Sequence, residues 1–367
     1  LPNVRTISRI MPQTLVEADL HELISQFLRA EKPMIVVGQM RPTTIDTTLI
    51  QELEKHAVVI SEVLSGVGTL QNADELLATS TETVELKPDF ILYLGGHLIG
   101  KNIKSLLRQA QDAAQWLINE GGDVIDTFMH LTTIVETLPS NVLSLMVQMM
   151  QQFDKKQHEA HVNAYIQRWQ KAHNDYREHL KKERLEYTEA FAVQCFEQQL
   201  SHSTAPYEVH YANSMSVRLA NKYARHPVWC NRGVNGIEGS LSTAAGMSLT
   251  TTNNVYCIIG DLSFFYDQNA LWNTRLKGNF RIILLNNGGG KIFQHVKGMP
   301  ANDIRDTFVS AEHRTSAQGI CQQNGIKYLV ANNKKELQKG VTELINHNED
   351  CPIVLEVNFK QSAGATA

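Results

Sequence analysis

The sequence predicts an α/β protein of two three-layer α/β/α domains with mainly parallel sheets, joined by a long helical segment. Three observations carry this. Short apolar runs ending at glycine or a polar turn recur through both halves of the chain, with helical patterns between them, and buried strands alternating with helices imply a parallel sheet covered on both faces. The length of 367 residues exceeds one comfortable core. Between about Ser140 and Leu200 glycines and strand signals vanish, and polar and apolar residues recur at helical spacing.

In chain order, Pro33-Met34-Ile35-Val36-Val37-Gly38 reads as a buried strand, and Ala57–Ile60 and Asp89–Gly95 repeat the pattern. Ala114–Ile118 is a weaker fourth strand, and Thr48–Lys55 and Lys101–Gln111 are helical patterns between strands. Met146, Met149, Met150 and Phe153 mark the helical stretch, read as one or two long helices. Ser201–Pro206 is polar and contains proline, a boundary signal. The expected organisation is a central α/β domain over 1–165, a helical linker over 166–205 and a second α/β domain over 206–367. In the second domain, strands are expected at Tyr207–Tyr211, Pro227–Cys230, Val255–Gly260, Arg281–Leu285 and Ile353–Val357.

Composition narrows the function classes. With 20% charged and 43% hydrophobic residues the chain is neither disordered nor fibrous. A formal charge of −4 without a basic stripe argues against nucleic acid as a partner. The absence of about 18 uninterrupted apolar residues excludes a helical membrane span. Five cysteines, an odd number without a C-x-x-C pair, are expected as free thiols in a reducing cytoplasm. His158 and His161 stand at i, i+3, but no carboxylate or cysteine cluster joins them, so a solvated helix face is the better reading. The chain opens Leu1-Pro2-Asn3 with neither an initiator Met nor a signal segment, so a fragment of a longer protein is expected.

Chemistry concentrates between Val255 and Phe293. A buried strand ends at Gly260-Asp261, and Leu262 and Ser263 open a helix expected to run to about Leu276, with Gly278 as its stop. Unpaired N–H groups and the helix dipole make such an end attractive to anions. The next strand ends in Asn286-Asn287-Gly288-Gly289-Gly290. Asp261 and Asn287 thus leave the carboxyl ends of two strands joined by one crossover, where open α/β sheets bind ligands. A carboxylate, an amide oxygen and the carbonyls of a glycine-rich loop are hard donors suited to Mg²⁺ or Ca²⁺. A metal there, beside a helix N-terminus, would grip a diphosphate. Taken alone, Gly-Asp is a common helix cap and the glycine run a surface turn; the pair, each after a strand, favours the site.

These residues resemble the thiamine-diphosphate motif, usually GDG…NN, with Leu262 at the third position. The variant running from Gly260 through Asp267 to Leu271, followed by NN-x-GG-x-IF ending at Phe293, is similar to one branch of that superfamily. That branch is the 2-succinyl-5-enolpyruvyl-6-hydroxy-3-cyclohexene-1-carboxylate (SEPHCHC) synthases of menaquinone biosynthesis. Asn231 to Gly246 resembles the branch's NRG-x-x-GI-D/E-G-x-x-STA-x-G, and Asn213 to Arg218 its NS-x-x-VR. The three blocks cover about 80 residues; over 1–200 the likeness is looser, chiefly Gly100-Lys101.

The resemblance implies thiamine diphosphate with Mg²⁺ (or Mn²⁺) as cofactors, and 2-oxoglutarate and isochorismate as substrates. It implies metal ligation by Asp261, Asn287 and the Gly289 carbonyl. Gly260, Leu262 and Ser263 would meet the diphosphate, Ile237 would support the bent cofactor, and Ile292 and Phe293 would line the pocket. Ser214, Arg218, Arg232 and Lys101 would hold substrate carboxylates; arginine forks suit such groups. Lys291, Gly288 and Asn102 depart from the branch's usual residues. The family's separate domain carrying an activating glutamate is not found in the chain, so inactivity of this chain alone is expected, with a homodimer or homotetramer for the longer protein. Rival readings are an acetolactate synthase or 2-oxoacid decarboxylase type of enzyme, or a non-catalytic module of the same fold.

Overall fold

Pro33–Val37, Val58–Ser61 and Phe90–Leu94 are buried along their whole length, which a strand can be only where both faces of its sheet are covered. A computed structural model describes residues 6–12, 14–67, 70–80, 83–152, 159–295 and 298–359. It divides into two units, Leu1–Glu183 and Arg184–Ala367.

The first unit comprises β1 (Ser8–Ile10), α1 (Glu17–Arg29), β2 (Pro33–Val37), α2 (Thr47–Leu53), β3 (Val58–Ser61), α3 (Ala73–Thr79), β4 (Phe90–Leu94), α4 (Asn102–Arg108), β5 (Ala114–Ile118), β6 (Thr133–Val135), α5 (Pro139–Met150) and α6 (Glu159–Lys182). Its six strands are parallel, in the order β1-β6-β5-β4-β2-β3. Alternation along the strands sorts side chains to two cores. Ile35, Val37, Leu92 and Leu94 pack with α1, α2 and α5. Met34, Val36, Ile91 and Tyr93 pack with α3, α4 and α6. On α6, Val162, Tyr165, Ile166 and Trp169 form the apolar stripe of an amphipathic helix.

The second unit comprises α7 (Glu189–Leu200), β7 (Tyr207–Tyr211), α8 (Met215–Tyr223), α9 (Ser240–Ser248), β8 (Asn254–Gly260), α10 (Asp261–Tyr266), β9 (Phe280–Asn286), α11 (Gln318–Gln323), β10 (Lys327–Ala331), α12 (Lys334–Ile345) and β11 (Ile353–Asn358). Its five strands are parallel, in the order β10-β11-β9-β8-β7. One face, with Cys257, Ile259, Ile282 and Leu284, packs on α9 and on Phe264, Ala317 and Cys321. Phe196 of α7 meets Tyr256 of β8 at 5.3 Å between ring centroids. A side chain at Gly340 of α12 would strike Leu355 of β11 at 2.7 Å, so a bare backbone sets that packing distance.

The two parallel α/β sheets follow the sequence reading; several details do not. The helical stretch resolves into α5, α6 and α7, with α6 in the first unit and α7 in the second rather than in a linker between domains. The helix expected from Leu262 to Leu276 stops at Tyr266, and a 3₁₀ segment follows over Gln268–Trp272. The break falls at Asp267, whose carboxylate accepts the Ser242 N–H (2.7 Å) and hydroxyl and so caps the first turn of α9. Pro227–Cys230 forms a single bridge, His210 to Trp229, rather than a strand; Pro227 has no N–H to extend a ladder. All five cysteines are free thiols. Phe153 and His158 lie outside the described residues, and His161 is exposed on α6. Among the described residues no helix is long and apolar enough to cross a membrane.

Candidate functional site

Adjacent parallel strands deliver two donors to one sheet edge. Gly260, ending β8, pairs with Leu285 of β9, so Asp261 and Asn287 emerge together at the carboxyl ends, where such sheets bind ligands. Asp261 is buried, at 3% exposure. Its Oδ1 accepts the Leu262 N–H at 2.7 Å. Its Oδ2 accepts those of Gly288 and Gly289 at 2.7 and 3.0 Å. His313 Nε2 lies 3.2 Å from the same Oδ2, and its ring stands edge-on to Phe265. Asn287 Oδ1 accepts the Gly289 N–H at 3.1 Å, and its Nδ2 donates to Glu189 Oε1 at 2.8 Å. Gly289 adopts φ +149°, and a Cβ there would sit 2.8 Å from the Ser310 carbonyl, so the loop closes this tightly only on glycine.

Glu189 is half-buried at the start of α7. Burial pushes its carboxyl up to about 7; the Asn287 amide opposes the rise and the charge of Asp261 adds to it.

The donor set fits a hard divalent cation. Among the described residues one N–H reaches Asp261 Oδ1 and one reaches Asn287 Oδ1, so each oxygen retains a lone pair. No group of three or more His, Cys, Asp or Glu capable of holding a metal occurs among the described residues. One carboxylate, one amide and backbone carbonyls make a sparse cage, the kind Mg²⁺ completes with water and phosphate oxygens.

A second cluster flanks this cradle. Asn213 Nδ2 donates to the carbonyls of Asn231 and, at 2.7 Å, Gly236, while its Oδ1 accepts Arg232 Nη1 at 3.0 Å. Arg232 is buried. Ser214 stands at the N-cap position of α8 with φ 72°, ψ −125° and no side-chain capping bond, strain that a non-glycine residue holds only where its surroundings fix it. Arg218 lies one turn further along α8, half-buried. The Ser263 hydroxyl donates to the Ile237 carbonyl, so the 236–237 backbone is fastened to both the β7–α8 loop and α10. Ile292 and Phe293 sit in the 3₁₀ turn after the glycine loop, with the Phe293 ring against Gly290.

The structure therefore joins Asp261, Asn287 and Gly289 in one cradle, ties Ser263 to the Ile237 backbone and sets Arg232 on Asn213, the residue before Ser214. Lys101 sits exposed at the N-cap of α4 in the first unit. α10 has only six residues, and its Leu262 N–H turns onto Asp261, so the anion-attracting helix end expected from sequence is shorter than foreseen. Glu189 and His313 were not read from sequence: each reaches the cradle from a distant segment without a spacing signal. A cleft of about 620 Å³ in the first unit is lined by residues including Leu76, Leu86, Lys171 and Tyr176.

Family comparisons agree with the geometry. Residues 11–205 match the middle domain of thiamine pyrophosphate enzymes, and residues 212–357 match the C-terminal TPP binding domain of thiamine pyrophosphate enzymes. The chain belongs to the thiamine pyrophosphate enzyme family. Among curated relatives it is similar to the SEPHCHC synthases of Bacteroides thetaiotaomicron, at 32% identity over 97% of this chain and 64% of the relative, and Bacteroides fragilis, at 33% over 97% and 64%. It is likewise 32% identical to that of Phocaeicola vulgatus, over 97% of this chain and 63% of the relative. The chain thus spans less than two thirds of the length of these relatives.

Within this family the three departures acquire local roles. The Lys291 ammonium pairs with Glu312 at 2.7 Å. Gly288, at φ +82°, sends its N–H to Asp261 and Asn286. Asn102 fastens the start of α4 to Asp74 through its backbone N–H (2.6 Å) and its side chain (3.0 Å).

Proposed function

We propose that the protein to which this chain belongs is a SEPHCHC synthase. It would decarboxylate 2-oxoglutarate and add the succinyl carbanion equivalent to isochorismate, in menaquinone biosynthesis. The observation that carries this reading is the Asp261–Asn287 cradle within the matched TPP binding domain, in a chain about one third identical to proteins named for that product.

Asp261, Asn287 and the Gly289 carbonyl would hold Mg²⁺ or Mn²⁺ against the diphosphate. Thiamine diphosphate, when bound, supplies an electron sink that lets a 2-oxo acid lose CO₂ and its acyl carbon attack an acceptor. The residues of the chain would do the rest by position and charge. Gly260, Leu262 and Ser263 would flank the diphosphate. Ser263 also ties down the backbone of Ile237, which would fix that apolar side chain beneath the cofactor. Arg232, buried and anchored on Asn213, would present a pre-oriented guanidinium to a substrate carboxylate, with Ser214 and Arg218 beside it on α8. Ile292 and Phe293 would keep water from the reacting carbon.

The test is an assay of the protein encoded by the complete reading frame with 2-oxoglutarate, isochorismate, Mg²⁺ and thiamine diphosphate. The expected result is CO₂ release and SEPHCHC formation that need both substrates. Turnover of pyruvate with no turnover of 2-oxoglutarate would overturn the assignment.

A further inference from the structure

We propose that Glu356, a buried carboxylate on β11 outside every recognised motif, is the positioning residue that holds both walls of the Asp261 cradle in place. The inference deepens the reading of that cradle as a cation and diphosphate site, and rests on it.

Glu356 is 2% exposed, and four donors converge on it. Asn286 Nδ2 donates to its Oε1 at 2.6 Å. The Ser316 hydroxyl, the Ala317 N–H and the Tyr328 hydroxyl donate to its Oε2 at 2.9, 2.9 and 2.8 Å. Only an acceptor-only group accommodates four donors; a glutamine there would turn N–H groups against some of them.

The first wall runs through Asn286. Its Nδ2 is taken by Glu356 and by the Thr315 carbonyl at 3.0 Å, which leaves Oδ1 facing the Gly288 N–H at 3.2 Å. That N–H is shared with Asp261 Oδ2 at 2.7 Å. The orientation of the Asn286 amide, and through it the glycine loop, is thus set by the carboxylate. The second wall runs through 313–317. With Ser316 and Ala317 held by Glu356, the Thr315 N–H donates to His313 Nδ1 at 3.1 Å. Nε2 of the same ring lies 3.2 Å from Asp261 Oδ2. The His313 N–H donates to the Gly288 carbonyl at 3.0 Å and closes the circuit. One buried charge thereby orients the loop that carries Asn287 and Gly289, and also the imidazole opposite Asp261; removing it should loosen both while the strands stay intact.

Amide hydrogen exchange on the metal-free chain tests the positioning. Glu356→Gln is expected to raise exchange at Gly288 and Gly289 at least tenfold while Ile282–Leu284 keep their protection. Asn286→Ala should release Gly288 equally and leave Ala317 protected; if Glu356→Gln does not fold, this variant decides. Unchanged exchange at Gly288 overturns the proposal. So does equal loosening in Tyr328→Phe, which removes a donor that is not on the path. Calorimetric titration with Mg²⁺ and thiamine diphosphate gives the second readout: Glu356→Gln should weaken Mg²⁺-dependent binding at least tenfold, and wild-type affinity would overturn the proposal. Where the wild-type chain itself does not bind thiamine diphosphate, exchange at Gly288 decides on Glu356, and the two-substrate assay of the longer protein decides the functional reading.

Discussion

Replacing Asp261 by asparagine separates the structural duty of this carboxylate from its proposed duty toward a metal. Three backbone N–H groups converge on it, two on Oδ2 and one on Oδ1. An amide can offer its oxygen to one side only. In its better orientation it keeps Gly288 and Gly289 as neutral hydrogen bonds and turns N–H₂ against Leu262. The loss is one bond to a charged acceptor, about 2 kcal/mol, plus the charge assistance of two others, about 1 kcal/mol each. For a unit of this size about 4 kcal/mol lowers the melting temperature by roughly 10 °C. Mg²⁺ and thiamine diphosphate at about a hundred times their dissociation constant should stabilise the wild-type chain by about 2.7 kcal/mol and leave Asp261→Asn unmoved. Scanning calorimetry of both proteins with and without ligands reads all four quantities. Equal melting of the two apoproteins, with equal ligand shifts, would refute the reasoning on both counts.

Two glycine substitutions should have opposite signs. A Cβ at Gly278 would lie 1.8 Å from the Glu349 carbonyl, so Gly278→Ala should cost at least about 1–3 kcal/mol, whereas Gly246→Ala, facing open space within α9, should gain about 0.5–1 kcal/mol; urea unfolding measures both. In the first unit, Glu62 is buried with its carboxylate on the N–H groups of Ile99 and Gly100. Burial outweighs those donors and, with the charges of Asp74 and Glu75, pushes the carboxyl from 4.5 up to about 7. The folded state therefore binds more protons than the unfolded chain between these values. The Glu62 contribution is complete below about pH 4.5 and is lost as pH rises to about 7, by up to about 3 kcal/mol at 1.4 kcal/mol per pKa unit. Glu62→Gln should flatten stability over that window, and an unaltered pH profile in urea unfolding would contradict the assignment.

What the sequence disclosed depended on how each segment is buried. β2, β4, β8 and β9 are covered on both faces, so each had to be written as a continuous apolar run, and each was legible. β1 and β6 have three residues each, too few for a pattern. β10, at the sheet edge, is half-exposed and carries Lys327 and Tyr328 among its five residues. The early end of α10 was hidden for another reason. Asp267 leaves its helix to accept hydrogen bonds from Ser242, a tertiary demand that overrides the local helical pattern.

The same division governs the site. Asp261 and Asn287 were legible because strand ends deliver them, and a strand end is a local event in the chain. Glu189 lies 98 residues before Asn287, and His313 belongs to a stretch with no periodic pattern, so no spacing argument could bring them together. Glu356 is different, because it breaks a rule within view. In Ile353-Val354-Leu355-Glu356-Val357 a carboxylate interrupts a run that only a fully covered strand would carry. A charge in that position is intolerable unless donors surround it. The sequence alone therefore requires that several donors from elsewhere meet at this strand. Three of those donors, Asn286, Ser316 and Ala317, belong to the far sides of the Asp261 cradle. An ionisable residue within an otherwise apolar central strand is therefore a pointer to a network, and its identity as an acceptor says what kind of partners that network must contain.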